Sequence, residues 1–246
     1  MPFPASTTGG LRLLTLTPDL RSYVIAAVAV FSLSCAPAAA LVQSLWQSRP
    51  PPAFLPLYAA TLLTTATGAV VVLRLPGLTQ GSSTVLVLAI LVGLAAGEAA
   101  FRADGVVRRA LRRRVRFHAP AGERLFFGRR PPTSPPVVAS PPSAGPVLAL
   151  LLAIAVLEEV LYRGVLVDLS LELPLAAAVI CIAGTVLAFA AAHVYGGWVE
   201  VLAKLPLSLT ALAVSLPFGA VAGAVAAHVL FNTRSWFATR SAEGRS

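Results

Sequence analysis

Apolar residues occur along the chain in long continuous runs, separated by short stretches that carry prolines, arginines and other polar residues. Most runs reach about 20 residues, the length that a helix needs to cross a hydrocarbon core ~30 Å thick. A transmembrane β-barrel would instead alternate apolar and polar positions. The runs predict spans at residues 23–46, 54–73, 83–101, 147–169 and 175–194, and two shorter spans at 201–214 and 218–231 that break near 215–217. The predicted fold class is therefore an all-α, polytopic transmembrane helical bundle with about six to seven spans.

The stretches between the runs divide the chain into four regions. These are N-terminal transmembrane helices at residues 1–101, a basic cytoplasmic loop with a proline- and serine-rich linker at 102–146, a helical bundle that holds the candidate chemistry at 147–232, and a polar tail at 233–246. Within the basic loop, residues 106–117 have the pattern of a basic amphipathic helix that lies along the membrane surface. The linker at 131–146 has a composition typical of a mobile connection.

Composition and charge agree with a membrane protein. Hydrophobic residues make up 57% of the 246 residues, and charged residues make up only 12%, about half of the share in a soluble domain. The net charge is +9, and ten of the nineteen basic residues fall between Arg102 and Arg130, which places this loop in the cytoplasm by the positive-inside rule. We expect membrane lipids as partners and no nucleic acid, because no nucleic-acid-binding motif accompanies the charge. The basic residues are arginines apart from Lys204, a bias typical of a high-GC bacterial genome, so we expect a multi-pass protein of a bacterial cell membrane.

Two adjacent glutamates, Glu158 and Glu159, lie inside the fourth apolar run. An acidic residue at the centre of a membrane helix costs roughly 2.5–3.5 kcal/mol, so each needs a partner or a task. On a helix, Glu159 and Arg163 form an i,i+4 pair, which gives that carboxylate a cationic partner. Glu158 is left free and could act as a general base. A purely structural polar cluster and proton-coupled transport are the alternatives for this segment, and the segment alone does not decide between them.

Two later apolar runs each contain a histidine. His193 follows three alanines, small residues that let another helix approach closely. His228 is followed four residues later by Asn232, so an imidazole and a carboxamide share one helical face. The imidazole of His228 could bind a metal or hold a proton, and the carboxamide of Asn232 could donate a hydrogen bond to an oxyanion. A packing role for His193 and a helix C-cap role for Asn232 remain open alternatives.

These patterns, in this order on successive apolar helices, resemble the CPBP family of intramembrane proteases. That family includes the CAAX-prenyl endopeptidases of the Rce1 type and the bacterial Abi-type proteins. The motifs are Glu158-Glu159-Val-Leu-Tyr-Arg163, Phe189-Ala-Ala-Ala-His193 and His228-Val-Leu-Phe-Asn232. The resemblance covers residues 147–232. Where family members often have an Arg-Thr-Gly-Ser-like turn before the last helix, this chain has Ser-Leu-Pro-Phe-Gly at 215–219.

The resemblance implies an intramembrane endopeptidase that hydrolyses a peptide bond near the membrane. Glu158 and His193 would orient and deprotonate a water, which would attack the scissile carbonyl. His228 and Asn232 would stabilise the resulting oxyanion. The residues implied as structural support are Glu159, Arg163 and Phe189. The substrate would be a peptide or protein, such as a C-terminal tail that carries a lipid or a small peptide.

The cofactor and the oligomeric state stay open at this point. Glu158, His193 and His228 have the side chains to ligate a divalent metal such as Zn²⁺, but the same set can run glutamate-dependent chemistry without one. No H-E-x-x-H sequence is present to favour a zinc protease of the usual kind. Two other functions are compatible with the sequence: a non-proteolytic chaperone, partner-binding subunit or immunity protein on the same scaffold, and a small proton-coupled transporter, for which no inverted repeat is visible.

Overall fold

The computed structural model describes residues 54–73, 82–118, 144–194, 197–219 and 221–243. Within these ranges the chain is helical apart from short connections and contains no strand, which confirms the predicted all-α class. Three of these helical stretches are long and apolar enough to cross a membrane, and two shorter helices are also apolar. The protein is therefore a membrane protein. The predicted span at residues 23–46 lies outside the described residues.

The bounds of the helices follow the predicted spans closely in most places. In chain order they are α1 (Phe54–Leu73), α2 (Ser83–His118), α3 (Ala144–Glu159), a π-helical segment (Val160–Val167), α4 (Asp168–Leu171), α5 (Leu175–Ala191), α6 (Trp198–Phe218) and α7 (Val221–Glu243). From α3 to α4 the chain forms one continuous helical stretch with a π-helical insertion in it.

Helix α2 differs from the prediction because it does not end near residue 101 but continues to His118. The predicted surface helix at residues 106–117 is the second half of α2. Arginines in this half find carboxylates one turn earlier, as in the pairs Arg102 with Glu98 and Arg108 with Asp104. Such i,i+4 pairs stabilise a helix, and no proline occurs between residues 76 and 120 to stop it.

The turn between the last two helices also differs from the prediction. The sequence predicts a break near residues 215–217, but α6 continues through Pro217, ends at Phe218 and has Gly219 as its C-cap. Gly219 has a φ of 56°, a left-handed conformation that glycine adopts without the steric cost of a Cβ atom. Downstream, α7 extends to Glu243, so most of the predicted polar tail at 233–246 is helical.

Small residues allow the backbones of α2 and α7 to come into direct contact. A Cβ atom added at Gly93 would collide with the backbone of Gly223, and one added at Gly97 would collide with the backbone of Ala227. Such small-residue interfaces replace hydrophobic burial as the means of helix packing in lipid. This contact fixes α7, which carries two of the candidate site residues, against α2.

The polar site lies between two apolar clusters. One cluster joins α1 to the α3–α4 stretch through residues such as Leu62 and Leu161. The other surrounds Phe189 and includes Tyr162 and Phe231. Seven of the eight residues of the π-helical segment are buried between them. Because a π-helical turn is wider than an α-helical turn, it shifts the residues after Glu159 around the helix axis, and such turns are frequent at functional sites.

Candidate active site

A cavity of about 410 Å³ opens between α1, α3, α6, α7 and the connection that follows α5. Four residues that the sequence singled out line it: Glu158, His193, His228 and Asn232. They come from α3, from the turn that follows α5 and from α7, and only the fold brings them together. The described structure thus places the three motifs around one shared space.

Glu158 is buried and uses its two carboxylate oxygens differently. Oε1 accepts a hydrogen bond of 2.6 Å from the hydroxyl of Tyr58 on α1. Oε2 lies 3.7 Å from Nε2 of His228, and both residues line the cavity. The prediction that Glu158 is left free was therefore wrong, because α1 supplies a partner from 100 residues away in the sequence.

Glu159 is fully buried and binds two side chains. Its Oε2 lies 3.3 Å from Nε of Arg163, which confirms the predicted i,i+4 ion pair. Its Oε1 lies 2.8 Å from Nδ1 of His228 on α7, a contact that the sequence did not predict. Arg163 in turn donates to the hydroxyl and the backbone carbonyl of Ser208 on α6, at 2.8 and 2.9 Å. We call Glu158, Glu159, Arg163 and His228 the inner cluster; it ties α3 and the π-helical segment to α6 and α7.

The hydrogen bonds of the two histidines fix which ring nitrogen carries a hydrogen. Nδ1 of His228 lies against the Glu159 carboxylate, which can only accept, so this nitrogen donates. Nδ1 of His193 lies 3.0 Å from the backbone carbonyl of Phe189 and must donate for the same reason. In each ring, Nε2 is the nitrogen that this hydrogen bond does not use.

The Phe189 ring is the packing centre of the site. The rings of Tyr162, His193 and His228 lie around it with centroid distances of 5.4 to 5.5 Å. The guanidinium of Arg163 stacks on the same ring at 4.5 Å. Aromatic and cation–π contacts of this kind hold neighbouring groups in defined orientations. This geometry supports the predicted packing role of Phe189.

Asn232 lies in the middle of α7, so the alternative that it caps the C-terminus of its helix is wrong. Its side-chain amide donates a hydrogen bond of 3.2 Å to the backbone carbonyl of Leu151 on α3. Because the amide nitrogen carries two hydrogens, one donor remains available to another group. Asn232 therefore both connects two helices and keeps a polar hydrogen for the cavity that it lines.

The predicted metal set does not have the geometry of a metal site. Among the described residues, no group of three or more His, Cys, Asp or Glu side chains is placed to hold a metal ion. Ligand atoms of a shared Zn²⁺ lie ~2.0–2.3 Å from the ion, and no such convergence of Glu158, His193 and His228 is present. Binding of zinc by these residues stays a prediction.

A second group of charges adjoins the cavity between α2 and α6. Arg108 of α2 donates two hydrogen bonds to Asp104, at 2.6 and 3.0 Å, and also pairs with Glu200 of α6. Lys204, one turn after Glu200, lies with its Nζ 4.0 Å from Asp104. We call these four residues the rim cluster; Glu200 and Lys204 belong to the cavity lining.

Sequence reasoning missed Tyr58 and the rim cluster as parts of the site. Tyr58 was hidden in an apolar run, where a single tyrosine carries no signal of its partner. Arg108 belongs to the basic residues whose pattern marks a cytoplasmic loop. The spacing of four residues between Asp104 and Arg108 is the one sequence signal for an ion pair on a helix at this place.

Residues 140–234 match the family described as type II CAAX prenyl endopeptidase, Rce1-like. No curated protein and no solved structure matches the chain. The matched residues contain all three motifs and every residue of the inner cluster. The resemblance predicted from those motifs is therefore confirmed for residues 140–234, and the similarity of this segment to a protease family indicates a protease.

Proposed function

We propose that the protein is an intramembrane endopeptidase of the cell membrane that hydrolyses a peptide bond with a water activated by Glu158. The observation that carries this proposal is that Glu158, His193, His228 and Asn232 line one cavity. All four residues lie in the part of the chain that matches a protease family. Polar groups at membrane depth are tolerated where they surround a water-containing cavity, which is also what hydrolysis requires.

The proposed reaction begins with a water held between Glu158 and His193. Oε2 of Glu158 is the carboxylate oxygen directed away from the Tyr58 hydroxyl, so it takes a proton from the water as the oxygen attacks the scissile carbonyl. Nε2 of His193 accepts the second hydrogen of that water and orients it. Collapse of the tetrahedral intermediate releases the amine, which receives the proton held by Glu158.

The oxyanion of the intermediate would be stabilised from the α7 side of the cavity. Asn232 keeps one amide hydrogen after its bond to Leu151 and can donate it. His228 donates from Nε2 when both of its ring nitrogens carry hydrogens, and Glu159 accepts the hydrogen on Nδ1. Donors already fixed in place stabilise a developing charge without reorganisation in the transition state.

We infer that the cavity opens toward the cytoplasm of a bacterial cell, in a multi-pass protein. The rim cluster lies at the same end of the bundle as the arginine-rich second half of α2. Positive charge beside a membrane helix marks the cytoplasmic side. Leu55, Leu151 and Ile154 add apolar wall to the cavity, which suits aliphatic side chains or a lipid chain on the substrate.

The experiment compares membranes that carry the wild-type protein with membranes that carry Glu158→Gln. Proteins and peptides shortened only by the wild type are identified by mass spectrometry of their new termini. We expect cleavage to fall by a factor of about 10² or more, since loss of a positioned general base typically costs 10²–10⁴ in rate. Glu98→Gln is the matched control, because Glu98 pairs with arginines outside the cavity.

Full cleavage by Glu158→Gln would refute the proposed role of this carboxylate. If neither the wild type nor the variant shortens any protein, and a phenotype of the wild-type gene survives in the double variant Glu158→Gln/His228→Ala, the protein acts as a non-proteolytic scaffold. Abundance of each variant in the membrane is measured in parallel, so that loss of the protein is not taken for loss of chemistry.

A further inference from the structure

Lys204 is a cation in a place where cations are costly. It lies on α6, within a stretch that is apolar and long enough to cross a membrane. It is the only lysine of the chain, and its side chain is 12% exposed. Charged residues inside membrane helices face other protein groups or water-filled cavities and mark functional sites. Lys204 follows this rule because it lines the cavity that contains Glu158.

The neighbours of Lys204 leave its hydrogen-bonding capacity unused. Asp104 lies 4.0 Å from Nζ, beyond hydrogen-bonding distance, and both of its oxygens already accept from Arg108. Glu200, the other nearby carboxylate, also pairs with Arg108. Nζ rests 4.1 Å from the centre of the Phe231 ring. Within the described ranges, then, an ammonium with three donors has an aromatic face and a distant carboxylate, but no bonded acceptor.

The role of Arg108 explains why this arrangement holds together. With two carboxylates and two cations, the rim cluster is neutral, so α2 and α6 can pack here without excess charge. Arg108 makes the direct bonds to both acids and supports the structure. Lys204 completes the charge balance from 4.0 Å, without a hydrogen bond to Asp104, and it is part of the cavity lining.

We propose that Lys204 binds a carboxylate group of the substrate, an inference that rests on the proposed peptidase function. A carboxylate is the anionic group that a peptide brings, either at its C-terminus or on an Asp or Glu side chain. A charge-assisted hydrogen bond from Lys204 to that group would hold the peptide with a neighbouring bond beside Glu158. The residue would thus determine which peptides enter the cavity in a cleavable position.

The first test uses the fact that Lys204 is the only lysine. The full-length protein in detergent micelles is treated with formaldehyde and cyanoborohydride, and methylation of Lys204 is followed by mass spectrometry. Three probes are added separately: acetyl-Leu-Ala-Leu with a free C-terminus, its C-terminal amide, and acetyl-Leu-Ala-Asp amide. We expect the free acid, the side-chain acid or both to slow methylation several-fold relative to the amide, and which acid does so identifies the source of the carboxylate. Equal slowing by all three probes, or by none, would overturn the proposal.

The second test measures affinity for the same probes in variants. Lys204→Met should lower the affinity for the preferred acid to that for the amide, about a tenfold loss or more, as expected for a hydrogen bond to a charged group. Lys204→Arg keeps the charge and should keep most of the preference. Arg240→Met removes one positive charge from an exposed position near the end of α7 and should change nothing.

An undiminished preference for the acid in Lys204→Met would reject the assignment. If that variant does not fold, the methylation experiment on the wild type decides alone. Both tests measure binding and not cleavage. They can therefore reject the carboxylate site at Lys204 while Glu158→Gln still abolishes hydrolysis, or support that site while Glu158→Gln has no effect on hydrolysis.

Discussion

The inner cluster and the rim cluster are both networks of acids and bases inside one membrane bundle, but they differ in depth and in origin. The side chains of the inner cluster are at most 3% exposed, whereas those of the rim cluster range from 9% to 25%. The inner cluster lies wholly within the segment that matches the protease family, and the rim cluster joins that segment to α2. Water can therefore compensate a lost partner at the rim, and it cannot do so in the interior.

The largest expected effect follows from removing the carboxylate shared by two inner partners. Glu159→Ala leaves both Arg163 and His228 buried without their acceptor, so we expect a loss of about 3–5 kcal/mol in the free energy of unfolding. Thermal or denaturant unfolding of the purified protein in micelles measures it. Glu98→Ala, which removes an acid from a half-exposed pair on α2, is the control and should have a far smaller effect. Equal free energies of unfolding for the two variants would mean that burial of Glu159 does not make its loss more costly than the loss of an exposed acid.

The next effect tests whether α1 belongs to the active site. Tyr58→Phe removes the hydroxyl that holds Oε1 of Glu158 but keeps the ring in its apolar cluster. We expect kcat to fall about tenfold to hundredfold with KM nearly unchanged, since a misplaced catalytic group costs rate rather than binding. Cleavage of a substrate identified with the wild type supplies both constants. Thr61→Val, one turn further along α1, is the control, because the Thr61 hydroxyl donates to a backbone carbonyl of its own helix.

A parallel loss in melting temperature and in kcat would assign Tyr58 to stability rather than to positioning. The positioning role requires that the variant unfold at nearly the same temperature as the wild type while its rate falls. If kcat also stays at the wild-type value, the Tyr58 hydroxyl does not contribute to the chemistry.

The two clusters also explain what the sequence could predict and what it could not. The pair of Glu159 and Arg163 lies four residues apart on one helix, so helical geometry alone predicts it. The contact of Tyr58 with Glu158 joins residues 100 positions apart, and its existence depends on how α1 packs against α3. The helix bounds were predictable because apolar runs must match the thickness of the bilayer. The extension of α2 was not, because its arginines carry the same signal whether they lie in a loop or on a helix.

The smallest expected effect compares two acids within the rim cluster. Glu200→Gln removes one partner of Arg108, but the side chain is 25% exposed and Arg108 keeps both bonds to Asp104. We therefore expect less than about 1 kcal/mol of lost stability, the range of exposed ion pairs. Asp104→Asn should cost more, because Asp104 is buried and is the acid shared by Arg108 and Lys204. Unfolding of both variants at low and high salt measures the difference. A larger loss for Glu200→Gln than for Asp104→Asn would show that the α6 contact, rather than the acid on α2, holds the rim together.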